Sequence, residues 1–237
     1  MANGTAEGGR WIDVSPERLA GWIESFEQRH GDVTVDAGPS VVAFRAADGA
    51  QAQCHVPFPP LPGKAGVGEA PAGAGETTGE TAGCAERIRA HARAERTIGV
   101  LLVRLGGYAA GVFTGPAAHL AASKVGSRLV HGRSAAGGTS QQRFARRREK
   151  QAGEALAAAA DAAAAVFGGQ AGKLDAVVLG GDRRAIAGLR ADPRLRPYFE
   201  LAVERFLTVP DPRLGVLRAA PRMFLAIRIR LTEPRLG

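Results

Sequence analysis

The segment IGVLLVRLGGYAAGVFT, residues 98–114, decides how the chain is read. Ile98–Leu105 reads as a strand, Gly106-Gly107 as a tight turn and Tyr108–Thr114 as the hairpin partner. Outward from this hairpin, Lys124–His131 is the expected third strand, followed by a loop over Gly132–Thr139. A long helix is expected from about Ser140 to Phe167, because its second half is mostly alanine, the best helix former. Beyond it the chain alternates: strand Asp175–Leu179, helix Asp182–Leu189, strand Glu204–Val209, helix Asp211–Ala219 and a final strand Met223–Leu231 with apolar residues at every second position. A hairpin and third strand followed by helix–strand alternation predict an α/β (α+β) fold, a mixed sheet covered by helices.

Upstream, residues 1–9 are small and polar and are expected to fray. Ser15-Pro16 has the composition of a helix start, and Leu19, Trp22, Ile23 and Phe26 follow at helical spacing up to Gly31. Short strand-like runs at 33–35, 41–44 and 51–56, with an Asp48-Gly49 turn, complete a small N-terminal unit of one helix on three strands, residues 1–56. From Pro57 to Gly83 the composition collapses to Pro, Gly, Ala, Glu and Thr, which cannot bury enough apolar surface to offset ordering entropy. Residues 57–83 therefore read as a mobile linker, and 84–237 as the main domain, opening on a short helix at Ala85–Arg93.

Composition excludes several classes. Two cysteines in 237 residues rule out a disulfide scaffold and a four-cysteine zinc site. No apolar run approaches the roughly 20 residues of a membrane span, and the first residues lack a signal-peptide layout, so a soluble cytoplasmic protein is expected, with no membrane partner. His30, His55, His91, His119 and His131 show no metal-ligand spacing, so neither a metal nor a cofactor is expected. The strand at 98–105 contains no Asp or Glu, so the carboxylate-held metal pair of a nuclease is not supplied there. Gly180-Gly181-Asp182 lacks a following Lys-Ser/Thr, which leaves Asp182 as a helix cap.

The net charge of +8 is concentrated: between Lys124 and Lys150 eight basic residues face Glu149 alone. A focused basic patch points to a polyanion. Inside it lies VHGRSAAGGTSQQRFARRREK, residues 130–150, a glycine-rich loop running into a basic helix start. Thr139 with Gln142 three residues later matches a capping box, placing Gln141 in the first turn, where backbone N–H groups favour phosphate or a developing oxyanion. On the residues alone two readings stay open, an anion-binding loop or an ordinary solvated loop and basic face.

The same residues resemble a known family. His-Gly-Arg, then Gly-Gly, then Arg-Phe-Ala-Arg-x-Arg-x-Glu-Lys is similar to the catalytic loop and helix of eukaryotic and archaeal class-one peptide chain release factors. Those carry Gly-Gly-Gln; here Thr139 stands at the glutamine position, and the Gly-x-x-Gln form Gly138-Thr139-Ser140-Gln141 resembles the Vms-like release factors, whose actinobacterial members are peptidyl-tRNA hydrolases. The resemblance covers residues 98 to about 209. It implies a ribonuclease H-like mixed sheet and a monomer acting at the large ribosomal subunit on peptidyl-tRNA. Gln141, with Gly137 and Gly138, would be catalytic; Thr139, Ser140 and Gln142 would support the loop. Arg133, Arg143, Arg146, Arg147, Arg148 and Lys150 would hold ribosomal RNA or tRNA phosphates. Two alternatives are cleavage of a phosphodiester near the tRNA 3′ end and a non-catalytic ribosome- or RNA-binding module. The literal Gly168-Gly169-Gln170 follows the alanine-rich run and has no basic flank, so Gly168 is read as a left-handed helix cap.

Overall fold

The computed structural model describes residues 9–63, 78–104, 106–127, 140–169 and 174–234. Its elements are β1 (Gly9–Val14), α1 (Leu19–His30), β2 (Val33–Ala37), β3 (Val41–Ala46), β4 (Gln51–His55), α2 (Thr78–Ala92), β5 (Thr97–Arg104), β6 (Gly107–Thr114) and β7 (His119–Ser127). There follow α3 (Ser140–Gly168), β8 (Ala176–Gly181), α4 (Arg183–Leu189), α5 (Arg196–Glu200), β9 (Ala202–Leu207), α6 (Leu214–Ala219), α7 (Pro221–Phe224) and β10 (Ile227–Thr232). The chain forms two compact units, residues 1–94 with 225–237, and residues 95–224.

The first unit is larger than the sequence indicates. Its sheet has five strands in the order β1-β10-β4-β3-β2, every neighbouring pair antiparallel. Leu19, Ile23 and Phe26, at spacings of four and three, give α1 one apolar stripe, and all three are buried. Burying each such side chain stabilises the unit by roughly 1.5–3 kcal/mol. Ser15 makes no side-chain cap; a short 3-10 turn at Pro16–Arg18 precedes α1. At its other end α1 stops at Gly31, whose N–H donates to the Glu27 carbonyl at 2.9 Å. The Asp48-Gly49 turn forms as expected, its Asp48 carboxylate accepting from the Ala50 N–H at 2.9 Å.

Several expected boundaries are corrected here. Residues 84–237 are not one domain: α2 belongs to the first unit, and β10 is inserted between β1 and β4. Ile227, Ile229 and Leu231 are buried with Val42, Phe44 and Cys54, so the C-terminal alternation serves the N-terminal core. β1 lies within the stretch that begins at the expected frayed end, held by pairing with β10. Part of the expected linker, 57–83, is structural. Leu61 is buried with its N–H on the Pro39 carbonyl, and α2 starts at Thr78, buries Thr81 and Cys84 and packs on α1. Residues 64–77 lie outside the described residues.

The second unit contains the expected mixed sheet, ordered β7-β6-β5-β8-β9. β5, β6 and β7 are successively antiparallel, whereas β8 is parallel to β5 and β9 to β8, the ribonuclease H-like arrangement. β5 and β8 are nearly continuous runs of buried aliphatics, as strands covered on both faces must be. Leu101, Val103, Ala110, Val177 and Leu179 meet Ala159, Ala160, Ala163 and Phe167 of α3 on one face. On the other, Phe113 packs edge-on against Phe224 at 5.7 Å, beside Leu217 of α6. The third strand begins at His119 instead of Lys124, because a turn at 115–118, closed by the Ala118 N–H on the Gly115 carbonyl, starts it earlier. The last helix before β10 is a single turn, Pro221–Phe224, so the expected strand Met223–Leu231 starts later, at Ile227.

Candidate functional site

Four strands of the second unit meet at one end of the sheet. Arg104 ends β5, Gly107 starts β6, Ser127 ends β7 opposite Gly107, and Gly181 ends β8 opposite Val103. From this end the chain leaves at Ser127 and returns as α3 at Ser140. α3 runs antiparallel to β5. Its Ala152, Ala155 and Leu156 share a cavity of about 350 Å³ with Val103, Arg104 and Tyr108. Its Phe167 reaches the start of β5, where a Cβ on Gly99 would lie 3.2 Å from the ring. The alanine-rich half is therefore the part that docks, since small side chains let the helix approach the sheet closely. The turns from Ser140 up to Ala152 add about 18 Å of helix axis on the loop side of that level.

Those outer turns carry most of the expected site. Ser140 is the first helical residue and Gln141 the second; Gln142, Arg143, Arg146, Arg147, Arg148 and Lys150 follow within three turns. Glu149 and Lys150 are exposed. Gly137, Gly138, Thr139 and Arg133 lie outside the described residues, as does Gln170. Gly168 is the last helical residue of α3, and no left-handed φ marks it or Gly169 as a cap.

The cavity between α3 and this end of the sheet was not legible in the sequence. Arg104 closes one side, donating from Nη1 to the Val209 carbonyl at 2.8 Å, with Asp211 4.0 Å from its Nε. Tyr108 lies across Gly126 of β7; a Cβ at Gly126 would come within 2.4 Å of the tyrosine oxygen, so only glycine leaves the ring its place. Asp182 caps α4 as expected, its carboxylate accepting from the Arg184 N–H at 2.7 Å. At the opposite end of the sheet, Asp175 accepts from the Thr97 N–H, and partial burial pushes the neighbouring Arg96 guanidinium below its ordinary range. Away from the sheet, Arg194 bridges Asp192 and Asp161, tying the turn before α5 to α3; this pairing holds the Asp192 carboxyl below the usual range. Among the described residues no group of three His, Cys, Asp or Glu side chains converges to hold a metal, and no helix is long and apolar enough to cross a membrane.

Among curated proteins the sequence has no match. Among solved structures it is similar to the archaeal translation termination factor aRF1, at 11% identity and a TM-score of 0.40, over 90% of this chain and 73% of that one. Pelota of Archaeoglobus fulgidus is a more distant likeness, at 12% identity and a TM-score of 0.28, over 94% of this chain and 66% of that one. The profile of acVLRF1, the actinobacteria/chloroflexi VLRF1 release factor, matches residues 96–230. That span holds the whole mixed sheet, the loop and α3, and the chain belongs to this release factor family.

Proposed function

We propose that this release-factor-family protein is a peptidyl-tRNA hydrolase that frees nascent peptide from tRNA on stalled large ribosomal subunits. The observation that carries the reading is the position of Gln141 in the first turn of a helix whose basic outer turns extend over about 16 Å of axis beyond Ala152, where the helix meets the cavity. Such a projection suits delivery of a short loop into a site built mostly of RNA.

In this mechanism the Gln141 carboxamide orients a water against the ester carbonyl joining peptide to the terminal ribose. The water oxygen bonds to the carbonyl carbon, the ester C–O bond breaks, and the ribose oxygen leaves with a proton. Backbone N–H groups of residues 140–142, unpaired within the first turn of α3, are suited to the oxyanion. Gly137 and Gly138 let the loop approach RNA without a side chain in the way. Arg133, Arg143, Arg146, Arg147, Arg148 and Lys150 supply phosphate contacts that position the loop, and orientation of this kind is worth several kcal/mol of barrier. No cofactor is invoked, and the protein acts as a monomer.

The test is single-turnover release from large subunits carrying peptidyl-tRNA. Gln141→Ala is expected to abolish release while subunit binding persists, and Gln170→Ala to leave both unchanged. The freed tRNA should end in an intact 3′ hydroxyl; a shortened 3′ end would mean phosphodiester cleavage. Release that survives Gln141→Ala would overturn the assignment.

A further inference from the structure

The sheet of the first unit has two unlike faces. Ile12, Val14, Ile227, Ile229, Cys54 and Phe44 lie on the face packed by α1 and α2. On the other face the register sets Trp11, Arg230 and Gln53 side by side, with Asp13, Arg228 and His55 in the next rung. Trp11 is 47% exposed, although a tryptophan is the most costly side chain to leave in water. The ring is nevertheless held in place. His55 lies 5.0 Å from it between centroids, and the Arg228 guanidinium sits 4.4 Å over its face. Arg230 lies flat beside them across Gly9, where a Cβ would come within 3.2 Å of its Cγ and Nε.

We propose that this face binds single-stranded RNA, with bases stacking on the platform of Trp11, His55 and Arg228 and phosphates meeting Arg228 and Arg230. Unpaired bases stack on aromatic rings and guanidinium planes alike, whereas the grooves of an RNA duplex hide those surfaces from a flat sheet. The charge fits a polyanion. Arg45 and Asp36, also on this face, pair with each other at 3.3 Å, and the remaining charged side chains of the two central rungs are Arg228, Arg230 and Asp13, two cations to one anion. Gln53 supplies an amide donor and acceptor for a base edge. An acidic peptide would use the arginines but not the exposed Trp11 ring. The proposal goes beyond the release reading and uses none of residues 128–150.

The experiment uses the full chain carrying Trp22→Phe, which leaves Trp11 the sole tryptophan. Unstructured oligouridylate and oligoadenylate are titrated against its emission. Saturable quenching is expected with both. By anisotropy of labelled oligonucleotide, Trp11→Ala should weaken binding about 5- to 150-fold, the range for one stacked base, with the salt dependence unchanged. Trp11→Phe should retain most of the affinity, and Arg228→Lys should lose part of it although the charge is kept. The measurements are repeated with Arg143, Arg147 and Lys150 replaced by Gln, so that loss of the α3 contacts and loss of the platform are read separately. Absent quenching, or a Trp11→Ala protein that binds as tightly as its parent, would overturn the proposal. Quenching by polyglutamate in place of RNA would also overturn it, in favour of an acidic protein partner.

Discussion

Replacing Arg143, Arg147 and Lys150 together by Gln tests whether the outer turns of α3 are an RNA-binding surface. At 100° per residue these three positions fall within about 60° of one another and along about 10.5 Å of axis, one basic stripe in the sequence of the helix. If each holds one phosphate, losing three releases fewer counterions. The slope of log affinity against log salt should then flatten by about 2 to 2.7, at roughly 0.7–0.9 per contact. Between 50 and 200 mM salt the parent should therefore lose about 20- to 40-fold more affinity than the variant. Surface substitutions typically cost within about 0.5 kcal/mol, so if these positions are surface ones, circular dichroism should show an unchanged fold. The assay is binding to large ribosomal subunits across a salt series. A parallel slope for parent and variant would mean that the cluster is a solvated face, and the reasoning from charge to RNA would fail.

Three further perturbations test the fold. Gly181→Ala should destabilise the second unit by about 3 kcal/mol or more. Gly181 has a φ of +99°, costly for any residue with a Cβ, and that Cβ would lie 2.1 Å from the Val103 carbonyl oxygen. Because both tryptophans lie in the first unit, the loss is best read by hydrogen exchange of β5 and β8 amides; unaltered protection there would refute the strain argument. Deleting 64–77 should leave cooperative unfolding of the first unit intact, whereas deleting 62–82 should impair it by removing the first turn of α2 with buried Thr81; equal unfolding of the two by tryptophan emission would contradict this. Asp48 is held below its ordinary pKa of 3.8, first by the Ala50 N–H and then by the His30 ring. A carboxylate with a depressed folded pKa stabilises above the unfolded value and loses that contribution as pH falls through the folded one. The stability gap between the parent and Asp48→Asn should therefore be open at pH 5 and close below 3.8; a gap constant to pH 2 would refute the assignment.

Local signals in the sequence were sufficient for the β5–β6 hairpin, the length of α3, the Asp182 cap and the Asp48-Gly49 turn. Each depends on residues within a few positions of one another: an apolar run broken by two glycines, an alanine tract, a carboxylate two residues before the N–H it accepts from. Motif spacing likewise placed Gln141 in the first turn of a helix, because capping chemistry is local. Pairing across long separations was not legible. β1 and β10 are more than 200 residues apart, and nothing in GRWIDV names IRIRLT as its neighbour; only the register that buries Val14 with Ile227 and packs Ile12 beside Ile229 selects it. For the same reason the sequence divided the chain by composition at 57–83, while the tertiary structure divides it by core, sending α2 and β10 to the first unit. The cavity between α3 and the sheet and the Trp11 platform depend on the same long-range register. Tyr108 meets Gly126, and Trp11 meets His55 and Arg228, only after their strands have paired. What the sequence determined by itself was which segments could form elements and that a glycine-rich, basic stretch runs into the start of α3. Which strands share a sheet, and therefore which side chains share a face, was decided by burial of apolar surface between residues distant in the chain, a term that no local pattern contains.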